Sequence, residues 1–120
     1  MTIKQGEVWL VEFFPKVGSE IAKTRPAVVI SDDRIGRLPL KTVVPVTDHK
    51  PAHDAYPWML KLEPTAANGL SKLSSADCFQ VKNFSDDRFV KKLGELSAKT
   101  VREIHRLVLK TLNPGYEIED

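Results

Sequence analysis

Apolar residues fall in short blocks along this chain, separated by polar stretches that carry most of its prolines and glycines. Residues 8–14, Val-Trp-Leu-Val-Glu-Phe-Phe, and 27–31, Ala-Val-Val-Ile-Ser, are rich in β-branched and aromatic side chains, as strands are. Continuous apolar runs also suit buried helices. Here their short lengths, with Pro15 and Pro26 at the boundaries, favour strands. Residues 42–46 make a third strand candidate, in which Pro45 points to an edge or bulge position. Residues 56–63 alternate, with Tyr56, Trp58, Leu60 and Leu62 on one side and Met59, Lys61 and Glu63 on the other. A period of two predicts a half-buried strand. Residues 76–81 and 89–93 are shorter strand candidates. Residues 32–40 and 48–55 read as loops, from their charge and from Gly36, Pro39 and Pro51.

The period changes near the C-terminus. Ser97 suits a helix N-cap, and Val101, Ile104, Val108 and Leu112 then recur at helical spacing. Lys99, Arg102, Arg106 and Lys110 lie off that stripe, on a solvated basic face. Asn113, Pro114 and Gly115 end the helix, and residues 116–120 form a loose tail. Short strands followed by one helix predict a mainly β domain with a C-terminal α-helix, its sheet strongly bent or partly closed.

Composition narrows this further. At 120 residues the chain is one domain, residues 1–120. Such a chain buries roughly two-thirds of its unfolded surface, enough for a core without staples. A net charge of +2 permits basic patches and demands no nucleic-acid partner. One cysteine, Cys78, allows no internal disulfide and suits a reducing cytoplasm. Glu7 and Glu12 interrupt the first apolar stretch, so no signal peptide is expected there, and no run is long enough to span a membrane. There is no P-loop, dinucleotide fingerprint or zinc spacing, so no cofactor is expected. His49 and His53 stand four apart with Pro51 between them, which argues against a helical metal pair. His105 is expected to pack or face solvent, and Cys78 to be a buried, inert thiol.

The sharpest chemistry lies between the first two strands. That loop carries Lys16, Gly18, Ser19, Glu20, Lys23 and Thr24, and ends on Arg25 before Pro26. A guanidinium offers a planar donor fork that grips phosphate. The following proline holds Arg25 in extended geometry, so the arginine starts a strand with a constrained direction.

The order Gly-Glu-Val-Trp, then Pro-Lys-Val-Gly-Ser-Glu, then Lys-Thr-Arg-Pro-Ala-Val-Val-Ile-Ser, running from Gly6 to Ser31, is similar to the opening of the MazF/PemK toxins. These are small ribosome-independent endoribonucleases of bacterial toxin–antitoxin pairs. The similarity continues weakly through residues 43–47, Val-Val-Pro-Val-Thr, and returns at 68–72, Asn-Gly-Leu-Ser-Lys, and at 74–82, Ser-Ser-Ala-Asp-Cys-Phe-Gln-Val-Lys. It runs over residues 5–112. The resemblance implies a small SH3-like barrel, cleavage of single-stranded RNA, a homodimer with RNA bound across the subunits, and a cognate antitoxin whose disordered tail occludes the RNA groove.

The resemblance also assigns roles. Arg25 falls at the family's catalytic arginine and Thr47 at its phosphate-stabilising threonine. Glu20 either orients Arg25 or acts as a base. Ser19, Ser74 and Gln80 match positions that contact RNA. Lys16, Lys23 and Lys82, with Thr24, are candidates for the RNA backbone. One departure matters: some members carry an active Arg-Cys-Asp-Gln run, and here the stretch is Asp77-Cys78-Phe79-Gln80. That dyad is lost, which leaves the mechanism on Arg25 and Thr47. Phe79 is expected in the core, with base stacking as the alternative. A gyrase poison of the same fold and a catalytically inactive RNA- or partner-binding barrel are the rival readings. Apolar residues on both sides of the first strand, Trp9, Val11 and Phe13 opposite Val8, Leu10 and Phe14, point to a covering second subunit.

Overall fold

A computed structural model describes residues 2–15, 17–35, 38–113 and 115. The first apolar block forms β1 (Glu7–Glu12), and the chain returns along it as β2 (Thr24–Val29), with Val11 opposite Arg25 and Val8 opposite Val28. A longer β3 (Leu40–Asp48) adds to β2. Then come β4 (Met59–Leu62), β5 (Ser74–Asp77), β6 (Lys82–Ser85) and β7 (Phe89–Glu95), and a C-terminal helix α1 (Ala98–Leu112). All pairings are antiparallel, in the order β4-β5-β3-β2-β1-β7, with β6 beside β3. The chain is thus mainly β: a seven-stranded sheet with one C-terminal helix.

Strand alternation sends side chains to two cores. Val8, Val28, Val44, Val46, Leu62 and Ala76 pack with Ile104 of α1 on one face. Trp9, Val11, Phe13, Ala27, Val29, Val43 and Phe89 pack on the other. Val8, Trp9, Val11 and Phe13 are thus buried within one chain, whereas Leu10 is half-buried and Phe14 is 51% exposed, so only part of this apolar surface is left for a second subunit.

The helix starts where expected, with the Ser97 hydroxyl accepting from the Thr100 amide at 3.2 Å. It ends at Asn113, whose left-handed backbone (φ 42°) lets its amide donate back to Leu109 and Lys110. Val101 and Ile104 are buried, but Leu112, expected on the packing stripe, is 68% exposed. His105 meets the Ile30 carbonyl at 2.9 Å and fixes the helix to the end of β2. The expectation for the tail falls on residues 116–120, outside those described.

Other expectations were too broad. Residues 56–58 belong to a turn, so the alternation from Tyr56 becomes a strand only at Met59. Strand β5 stops at Asp77, before the turn at Cys78 and Phe79. Strand β6 was unexpected, since Lys82, Asn83 and Ser85 give little apolar signal. Pro45 lies in the central strand, not at an edge. It sits at a break: on one side of β3, Val43 pairs with β6 and Val46 with β5. A residue with no amide hydrogen fits such a gap. One close approach also shapes the site, where residues 67–69 lie against β7. A Cβ on Gly94 would stand 2.2 Å from the Ala67 carbonyl oxygen, so only glycine fits.

Candidate active site

Register places the candidate residues at one end of the sheet. Arg25 opposes Val11, Thr47 opposes Ser75, and Lys61 opposes Ser75 from the far side. Cross-strand partners share a face, so Arg25, Thr47, Ser75 and Lys61 form one row. The Arg25 Nε donates to the Ala22 carbonyl at 2.8 Å, and Nη1 donates to Thr47 Oγ1 at 3.2 Å. Both partners are neutral oxygens, and among the described residues no carboxylate pairs with this guanidinium, which leaves the outer edge of its fork open. Because Thr47 Oγ1 accepts from Arg25, its own hydroxyl hydrogen can donate beside the guanidinium. A guanidinium and a hydroxyl directed together can stabilise charge on a phosphoryl group.

An open groove of about 550 Å³ adjoins this pair, lined by Lys23, Thr24, Arg25, Thr47, Lys72 and Ser74 among others. Lys23 and Thr24 are exposed on its rim. Ser74 is buried and donates to the Lys72 carbonyl at 2.8 Å. Ser19 is exposed in the loop before β2. Lys16 lies outside the described residues.

Three expected site residues do other work. Glu20 forms an ion pair with Lys82, so in this structure its carboxylate engages that lysine and not Arg25. Gln80 spends its amide within the fold: Oε1 accepts from the Ile21 amide at 2.8 Å, and Nε2 donates to buried Asp77 at 3.1 Å. Ile21 precedes Ala22, the residue whose carbonyl holds Arg25. Gln80 therefore anchors the loop that aims the guanidinium. Phe79, expected in the core, is 66% exposed.

The sequence reading missed a polar cluster next to Thr47. Fully buried Ser75 has its Oγ 2.8 Å from His49 Nδ1 and 3.0 Å from His53 Nδ1. The Lys50 amide donates to His53 Nδ1 at 3.2 Å, so that nitrogen accepts. The other ring nitrogen of His49 faces Asp54 at 3.4 Å. The pair of histidines was visible in sequence, but their common partner comes from another strand. Among the described residues, no group of three or more His, Cys, Asp or Glu side chains is placed to hold a metal ion. No helix among them is long and apolar enough to cross a membrane.

Cys78 is buried beneath this turn. Burial, and next the Asp77 charge, push its thiol up to about 12, so the reactive thiolate is suppressed. At the far end of β1, burial alone would raise the Glu7 carboxyl. Hydrogen bonds from Trp9, the Lys4 amide and Lys92 outweigh it and hold the group below its usual value of 4.5.

Fold and site together define a small, mainly β domain with a guanidinium and a hydroxyl joined at one end of its sheet. Residues 4–112 match the family described as PemK-like, MazF-like toxin of type II toxin–antitoxin system, and the chain belongs to that family. The endoribonuclease MazF9 of Mycobacterium tuberculosis is 32% identical over 108 residues, covering 85% of this chain and 89% of that one. A probable endoribonuclease MazF of Mycolicibacterium smegmatis is 32% identical over 92 residues, covering 77% of this chain and 83% of that one. The fold is shared with MazF from Deinococcus radiodurans, at a TM-score of 0.77 and 23% identity over 93% of this chain and 97% of that one. It is also shared with a mycobacterial endoribonuclease solved with its cognate antitoxin, at a TM-score of 0.72 and 16% identity over 98% and 99% of the two chains.

Proposed function

We propose that this protein is an endoribonuclease toxin that cuts single-stranded RNA through attack of the ribose 2′-hydroxyl on the adjacent phosphate. The endoribonuclease reading rests on family membership and on the names of the two mycobacterial relatives. One observation carries the mechanism: Arg25 and Thr47 are joined at 3.2 Å, and among the described residues no carboxylate pairs with the guanidinium. As the 2′-oxygen bonds to phosphorus, negative charge grows on the nonbridging oxygens, and the guanidinium and hydroxyl stabilise it there. The 2′-hydroxyl proton passes to a base. The bond from phosphorus to the 5′-oxygen breaks, and that oxygen takes up a proton. A 2′,3′-cyclic phosphate and a 5′-hydroxyl result. Arginine does not deprotonate in proteins, so Arg25 stabilises charge and assists the leaving group. Because the substrate supplies the nucleophile, the step needs no metal-activated water.

The toxin acts in the cytoplasm, as a homodimer, under a cognate antitoxin. Related chains have been solved with such partners. Open cations at Lys23 and Arg25 suit an acidic antitoxin segment that folds on binding, so RNA and antitoxin compete. Competition titration with non-cleavable RNA and the protein encoded beside this one checks that point, and a ternary complex with RNA affinity unchanged would refute it. Light scattering should report roughly twice 13.5 kDa.

The mechanism is tested on an RNA whose cleaved site has been mapped by primer extension. Cleavage should persist in chelator and stop when the nucleotide 5′ to the scissile phosphate is deoxy. Arg25→Ala should lower turnover on the order of 10²-fold or more, with little rescue by lysine, which lacks the fork. Efficient cleavage of the deoxy substrate would overturn the mechanism.

A further inference from the structure

Four rings run across the surface from the row that holds Thr47. Ser75, opposite Thr47, bonds His53 at 3.0 Å. The His53 ring lies 6.2 Å from Tyr56, which stacks on Trp58 at 5.0 Å with the planes only 5° apart. Trp58 in turn lies 6.0 Å from Phe79. Tyr56 is 40% exposed and Phe79 66%. We propose that Tyr56, Trp58 and Phe79 form a stacking platform for unpaired nucleobases of the RNA whose phosphate is held by Arg25 and Thr47, a reading that rests on the function proposed above.

The backbone presents these rings rigidly. The Cys78 amide donates to the Trp58 carbonyl at 3.2 Å, which ties the Trp58 turn to the Phe79 turn. The Phe79 amide donates to Asp77 Oδ1 at 3.1 Å, and Gln80 holds the other carboxylate oxygen. The Tyr56 amide donates to the His53 carbonyl at 3.0 Å, and the Met59 amide donates to Tyr56 at 3.1 Å. Rings held in advance lose little freedom when a base settles on them.

The link from Thr47 through Ser75 and His53 to Tyr56 argues for RNA as the occupant, because it connects the phosphate-binding row to these rings. Their chemistry argues the same way. Tyr56 and Phe79 are the aromatic residues exposed here, and Trp58 between them borders Leu107, Lys110 and Thr111 of α1, so a cation stands beside the rings. Every base has a π-face, and single-stranded RNA is bound through aromatic stacking together with backbone cations.

The test uses an unstructured RNA oligonucleotide spanning the mapped cleavage sequence, made non-cleavable by a 2′-deoxy nucleotide. Anisotropy measures its Kd for wild type, Tyr56→Leu, Phe79→Leu and Phe79→Tyr. Leucine keeps apolar volume at an exposed site and removes the π-face. Each leucine variant should raise Kd about tenfold, and Phe79→Tyr should stay near wild type. The salt slope should not change in these variants, whereas Arg25→Ala should reduce it by about one. Abasic substitution of the stacked nucleotide should cancel the Phe79→Leu effect. Leucine variants that bind like wild type, beside a wild type that binds and cleaves, would overturn the platform and leave the proposed function standing. Loss of antitoxin binding or of dimerisation with RNA affinity intact would overturn it in favour of a protein-docking surface. Failure of wild type to bind or cleave any RNA would sink the functional reading itself.

Discussion

Replacing Gln80 by leucine separates two roles for this residue. The side chain bonds the Ile21 amide at 2.8 Å and Asp77 at 3.1 Å, both partly buried. The first bond contributes about 1 kcal/mol, and the second more, because its acceptor is charged. Asp77 keeps its bond from the Phe79 amide, which limits the penalty. Together the loss is about 2 kcal/mol. With an unfolding entropy of about 2.1 cal/mol/K per residue, a chain of 120 residues should melt about 8 °C lower. Freed from this anchor, the loop no longer fixes the Ala22 carbonyl that orients the Arg25 guanidinium. A displacement of about 1 Å at a reacting group costs on the order of 10²-fold, so single-turnover cleavage should fall by about 10- to 100-fold. Affinity for non-cleavable RNA should change less than about threefold, since the lost bonds lie inside the protein. The assays are a thermal melt, single-turnover cleavage at saturating RNA, and a binding titration. Weakened RNA binding with melting point and cleavage rate intact would refute this reasoning and return Gln80 to direct RNA contact.

Glu7→Gln should destabilise the protein at pH 7. Its depressed carboxyl pKa contributes stability above the usual value of 4.5 that is lost as pH falls through the folded value. Melting points of wild type and variant should therefore converge as pH falls below 4.5, and a gap independent of pH would contradict this. A thiol reagent at pH 8 should leave Cys78 unmodified in the folded protein and label it fully in denaturant, because its pKa is pushed up to about 12; rapid native labelling would show the thiol to be accessible. Gly94→Ala should cost about 3 kcal/mol or more, since its Cβ would stand 2.2 Å from a backbone oxygen. Thermal melting checks this too, and an unchanged melting point would mean that the contact yields.

The strands were legible where apolar alternation was strong. Residues 8–14 and 27–31 signalled β1 and β2, and Ser97 with the stripe through Ile104 signalled α1. Strand β6 was not legible, because its place beside β3 comes from pairing with residues some 40 positions earlier and not from its own composition. Of the two positions that Pro45 suggested, an edge or a bulge, the edge was wrong, because whether a strand is central depends on its neighbours, and those lie elsewhere in the sequence. In the site, Arg25 was marked by its loop and by the proline after it. The partners of Glu20 and Gln80 were hidden, since a polar residue in isolation does not reveal whether its hydrogen bonds face inward or toward a ligand. Ser75 was invisible beside Ser74, and only strand register distinguishes the serine under two histidines from the one lining the groove.

The strand order carries a consequence for a chain emerging from a ribosome. β1 is made first, yet one of its two partners is β7, the last strand. Trp9 finishes its cluster only when Phe89 arrives, 5.9 Å from it in an edge-to-face contact. Pairings this distant in sequence close slowly, after the entropy of the intervening loop has been overcome. A nascent chain stalled before residue 89 has no strand to complete that side of β1, and it presents an open edge and a half-built core. Competence to fold thus arrives only once β7 has been made.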